Sequence, residues 1–99
     1  MSTGKMSFGE YLHQLRTAKG FSQKIVADKL GIDISMLSKI EHGERQVQEH
    51  MLNGISELFN VESKQLQIDY INNRIEDEFG RNPHLIDSLE KYIRNYKRK

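Results

Sequence analysis

The sequence predicts an all-α fold of six helices, on two observations. Apolar residues recur at i, i+3 and i+4 through successive stretches of the 99-residue chain. Between those stretches stand residues that start or stop helices, among them Ser7, Gly20, Gly31, Asp33, Gly43, Asn60 and Pro83.

Residues 1–6 are polar and aperiodic and read as a leader. The first helix is expected from Ser7, which with Glu10 makes a capping box: each side chain accepts from the other residue's free backbone N–H. Phe8, Tyr11, Leu12 and Leu15 form its apolar stripe, and Gly20 ends it. Phe21 to Arg45 then reads as two short helices joined by a tight turn. In the first of these, Ile25, Val26 and Leu30 are the apolar side, and Ala27 is small enough to let a second helix come close. Gly31 takes the turn without steric cost. Asp33 suits the N-cap of the next helix, where its carboxylate accepts from unpaired backbone N–H groups. Leu37 and Ile40 point inward at i and i+3, which leaves Ile34, Ser35, Ser38 and Lys39 on the other face; Gly43 closes the helix.

Glu44 to Gln48 is expected to loop, and a fourth helix runs from there to Phe59 on the stripe Met51, Leu52, Ile55 and Leu58. Gly54 inside it costs about 1 kcal/mol of helix propensity against alanine, the mark of a close approach to another helix. Asn60 tolerates the left-handed conformation that ends helices. A fifth helix starts at Glu62 or Ser63 and carries Leu66, Tyr70, Ile71, Ile75 and Phe79. Gly80 and Asn82-Pro83 break it, with proline suited to the first turn of a sixth helix. That sixth helix has the strongest stripe: Leu85, Ile86, Leu89, Tyr92, Ile93 and Tyr96.

Ser22-Gln23, Ala27, Leu30-Gly31-Ile32 and the run from Leu37 to Gly43 together resemble the helix-turn-helix of the lambda-repressor/Cro-like (Xre-type) family, over about Phe8 to Leu66. The resemblance implies a compact five-helix bundle, here with an added C-terminal helix, that binds operator DNA as a two-fold dimer. It divides the chain into a leader (1–6), a DNA-binding domain (7–69) and a C-terminal helical extension (70–99). It also implies that Arg16 pairs with Glu41 near the end of the recognition helix. A partly buried pair would pin the first helix to the third; the alternative is an exposed surface pair worth under about 1 kcal/mol.

On this resemblance the base-contacting candidates are Asp33, Ile34, Ser35, Ser38 and Lys39. Lys39 can donate to guanine O6 and N7, Ile34 can meet a thymine methyl group, and the serines can donate or accept. Asp33 is better used as an N-cap; at DNA it would accept from a cytosine amino group. Met36 either fills a gap in the core or rests on sugar edges. Ser22, Gln23, Lys24, His42, Arg45 and Gln46 are the phosphate-contacting candidates, with Ser22 alternatively a helix cap. The surplus apolar face formed by Ile75, Phe79, Leu85, Leu89, Tyr92, Ile93 and Tyr96 is expected to serve dimerisation, whether or not the last helix also folds back on the fifth. The basic run Lys91, Arg94, Lys97, Arg98 and Lys99 either touches phosphate or complements its helix dipole.

The expected function is a sequence-specific transcriptional regulator, a repressor that binds a palindromic operator as a homodimer, similar to phage-type repressors and restriction–modification controller proteins. The alternative is an antitoxin or adaptor module whose C-terminal helices bind a partner protein. A net charge of +1 is too small to argue for nucleic acid by itself. The absence of cysteine excludes disulfides and thiolate metal sites. His13, His42, His50 and His84 are scattered and form no HExxH pattern, so no metal, cofactor or catalytic site is expected. With no long apolar run and no signal peptide, a cytoplasmic protein without a membrane partner is expected.

Overall fold

The computed structural model describes residues 6–97; the expectations for residues 1–5, Arg98 and Lys99 lie outside them. The described chain is all-helical: α1 (Phe8–Lys19), α2 (Gln23–Leu30), α3 (Ile34–Glu41), α4 (Leu52–Phe59), α5 (Ser63–Phe79) and α6 (Leu85–Lys97). Local chemistry sets the ends. The Ser7 hydroxyl accepts from the Glu10 N–H at 3.0 Å while the Glu10 carboxylate accepts from the Ser7 N–H at 2.8 Å. Ser22 caps α2 by accepting from the Ile25 N–H, and Asp33 caps α3 by accepting from the Met36 N–H at 2.7 Å. Gly20, Gly31 and Asn60 end α1, α2 and α4 in the left-handed conformation, with φ of 71°, 73° and 56°.

The core lies where α3 packs on α1 and α2, and α4 packs on α1, α2 and α5. Leu12, Val26, Leu37, Ile40, Ile55 and Leu66 are fully buried there. Two glycines permit the closest approaches. A Cβ on Gly9 would overlap the backbone carbonyl of Ile40, so α1 and α3 meet backbone to backbone at that point. A Cβ on Gly54 would stand 3.0 Å from Leu30 Cδ2, so the glycine inside α4 does mark a close approach, to α2.

Several residues lie elsewhere than the periodicity predicts. Ile25 is 48% exposed, because α2 turns Val26, Ala27 and Leu30 inward instead. Met36, by contrast, takes one of its two expected places and is half-buried against the core. The chain enters α4 through a 3₁₀ turn, Glu49–Met51, and Val47 in the preceding loop is buried. The apolar edge of α5 divides: Leu66 and Tyr70 are buried, whereas Ile71 and Phe79 are exposed. Tyr70, one residue past the expected 7–69 unit, sets its ring edge-on to Phe8 and donates its hydroxyl to the Val47 carbonyl at 3.0 Å. Pro83 lies in the turn before α6, and the Asn82 side chain accepts there from the His84 N–H. No residue of α6 is buried.

Candidate nucleic-acid interface

Glu41, the last residue of α3, is the electrostatic centre of the helix-turn-helix. Its side chain is 3% exposed, and both oxygens are occupied. Arg16 donates from Nε to Oε2 at 2.7 Å and from Nη2 to Oε1 at 3.1 Å, and its Nη1 donates to the Phe21 carbonyl at 2.9 Å. The pair expected between α1 and α3 is thus bidentate and largely buried, with Glu41 inside and Arg16 at the edge. His13 Nδ1 and Gln23 Nε2 also reach Glu41 Oε1, at 3.1 and 3.2 Å. Burial pushes the Glu41 carboxyl up, but the hydrogen bonds from Arg16, His13 and Gln23 outweigh it and hold the group below the usual carboxylate range. One carboxylate therefore ties together α1, α2 and α3.

With Leu37, Ile40 and Glu41 turned inward, the remaining face of α3 is Ile34, Ser35, Ser38 and Lys39. Ile34, Ser35 and Lys39 are exposed, and Ser38 is half-buried. Ile34 keeps 45% of its surface open in the first turn. Asp33 is also exposed but is engaged as the cap of α3. His42 donates from Nδ1 to the Ser38 carbonyl at 2.7 Å and so closes the last turn.

The residues expected at phosphate differ in how free they are. Neither α2 nor α3 carries an acid within its first turn, but the Asp33 carboxylate caps α3, so only the N-terminal dipole of α2 stays open to an anion. Ser22 is occupied as a cap acceptor, and Gln23 is half-buried with its amide on Glu41. Lys24 pairs with Asp28 at 3.0 Å, both well exposed, an interaction worth under about 1 kcal/mol and easily exchanged. Arg45 is exposed, and its backbone N–H, like that of Glu44, donates to the Lys39 carbonyl. Gln46 points to α5 and donates to Asp77 at 3.2 Å.

The dimerisation candidates are mostly open to solvent. Phe79, Tyr92, Ile93 and Tyr96 are exposed, while Ile75, Leu85 and Leu89 are half-buried. Sequence reasoning missed His13 and Gln23 as partners of Glu41. The His13–Arg16 spacing of i, i+3 on one face of α1 was the available signal for the first; the contact from Gln23 had none. Among the described residues no helix is long and apolar enough to cross a membrane, and no cluster of three or more His, Asp and Glu side chains forms a metal site.

Residues 12–66 match the family model described as Helix-turn-helix. No curated protein and no solved structure matches the chain. A carboxylate-pinned pair of short helices, an outward polar face on the second and a match over more than half the chain agree: this protein belongs to the lambda-repressor-like (Xre-type) helix-turn-helix family of DNA-binding regulators.

Proposed function

We propose that the protein is a transcriptional repressor that binds a palindromic operator as a homodimer. The observation that carries the reading is the outward face of α3, where Ile34, Ser35 and Lys39 stand exposed on a helix that Glu41 holds rigidly to two others. A helix of this width fits the major groove, where base edges carry distinguishable donors, acceptors and methyl groups. Lys39 would read guanine and Ile34 a thymine methyl, with the serines adaptable. Gln23, Lys24, His42 and Arg45 would hold the flanking phosphates. Dimerisation through the 70–99 extension would set two recognition helices about one turn of DNA apart, and a bound dimer represses by occupying the promoter.

The test is selection of duplexes from a random pool, and then measurement of dissociation constants across a salt series. Enrichment of a palindrome with half-sites about 34 Å apart is the expected result. Enrichment of a single half-site would remove the dimer from the reading, and no enrichment would remove sequence-specific binding. In that last case the exposed stripe of α6 favours the second reading, an antitoxin or adaptor module that holds another protein.

A further inference from the structure

We infer that α6 pairs with α6 of a second copy of this chain in antiparallel register, about a two-fold axis between Glu90 and Lys91. The inference rests on the homodimer proposed above and specifies its interface.

Leu85, Leu89, Tyr92 and Tyr96 succeed one another at spacings of four, three and four, the a/d seam of a two-stranded coil. Ile86 and Ile93 widen one edge of that seam and are both more than half exposed. Tyr92 and Tyr96 stack on each other with centroids 6.1 Å apart, which gives the C-terminal half of the seam a broad aromatic surface. Antiparallel pairing sets a positions of one helix against d positions of the other. About an axis between Glu90 and Lys91, Leu85 then faces Tyr96 of the second copy, and Leu89 faces Tyr92. All four layers join one leucine to one tyrosine and have equal volume. Parallel pairing would instead make two thin leucine layers and two thick tyrosine layers, which a straight pair of helices cannot pack evenly.

Charge selects the same direction. The N-terminal half of α6 holds Asp87 and Glu90; the C-terminal half holds Lys91, Arg94 and Lys97. Antiparallel pairing sets the acidic half of one copy beside the basic half of the other, and it opposes the two helix dipoles. Parallel pairing would set three cations beside three. These side chains lie away from the seam, so they choose orientation and add little affinity. Area defines how far the interface extends. A 13-residue helix is about 20 Å long and about 10 Å across, a strip well short of the ~800 Å² per partner of a standard interface. The edge of α5 that immediately precedes it in the chain leaves Ile71 and Phe79 exposed and available to extend the interface.

The chain has no cysteine, so single substitutions give unique spin-labelling sites on the full protein. H84C, K91C and K97C, each labelled separately, would be measured by pulsed dipolar spectroscopy after the mass is fixed by light scattering. Each end of α6 stands about 10 Å along the helix from the proposed axis, at about 1.5 Å per residue. The K91C pair should be the closest, with the H84C and K97C pairs longer by roughly 10 Å each. A mixture of labelled H84C and K97C should restore the short distance. Three similar distances in a dimer would mean a parallel pair, and a shortest distance at either end would mean a different register; both overturn the inference while the homodimer stands. A monomer for every variant and for the parent chain overturns the homodimer and this inference with it.

Discussion

Replacing Arg16 with alanine tests what holds the reading head together. The guanidinium makes two hydrogen bonds to Glu41, at 2.7 and 3.1 Å, and one to the Phe21 carbonyl, with side-chain exposures of 14% for the arginine and 3% for the glutamate. Removing one member of a buried pair leaves the other charged without compensation, at about 3–5 kcal/mol. His13 and Gln23 stay on Oε1 and soften the loss, so the lower end, about 3 kcal/mol, is expected for Arg16→Ala. That is roughly a hundredfold in the folding equilibrium. With a urea slope of about 1–3 kcal/mol per molar, the midpoint should fall by about 1 M or more. The control is Arg16→Ala combined with Glu41→Gln, which removes the stranded charge and should recover part of the loss. A cost below about 1 kcal/mol would reduce the pair to a surface contact. A double variant less stable than Arg16→Ala alone would refute the charge-stranding argument itself.

The same geometry sets three further outcomes. Glu41 has its pKa lowered on folding, so the native state binds fewer protons than the unfolded one: its contribution is complete above the ordinary carboxylate value of about 4.3 and is lost as pH falls through the folded value. The stability gap between the parent and Glu41→Gln, measured by urea unfolding, should therefore narrow in acid; a gap independent of pH would contradict the shift. Gly9→Ala should be strongly destabilising, by about 3 kcal/mol or more, because the new methyl meets the Ile40 backbone and neither helix can give way alone; a melting temperature unchanged by the substitution would show that α1 and α3 separate freely there. Lys39→Ala should weaken operator binding by about 1–3 kcal/mol and random DNA much less, and equal losses on both would make Lys39 a phosphate contact.

The features legible in the sequence are those that local chemistry decides. Ser7, Ser22 and Asp33 cap helices through contacts three residues away, and Gly20, Gly31 and Asn60 are needed where the backbone turns left-handed. Each of those signals is complete within a few positions. The rotation of α2 was not, because an eight-residue helix with apolar residues at 25, 26, 27 and 30 admits two inward faces. Only packing against α3 and α4 selects the one that exposes Ile25. Val47 was illegible for the opposite reason. It is a lone apolar residue in a loop, buried in the core, and its carbonyl accepts from the Tyr70 hydroxyl 23 positions away. At the interface the division is the same: the exposed face of α3 follows from its inward residues, whereas the bonds from Gln23 to Glu41 and from Gln46 to Asp77 depend on tertiary placement alone.

Hydrogen-bonding capacity then sorts the interface candidates more finely than exposure does. The Ser22 hydroxyl accepts from the Ile25 N–H, and its own proton remains available to a phosphate oxygen. Gln23 commits one amide hydrogen to Glu41 and retains a second, so the residue can brace the fold and grip the backbone at once. Asp33 has no such second role toward phosphate. Its carboxylate only accepts, one oxygen is committed to the Met36 N–H, and the other would repel the anion. The DNA groups that suit it are donors on base edges, such as the cytosine amino group. On the DNA-binding reading proposed above, Asp33 would therefore stand with the base readers or with the scaffold, and the phosphate grip at this end of the motif would fall to Ser22, Gln23 and the open N-terminus of α2.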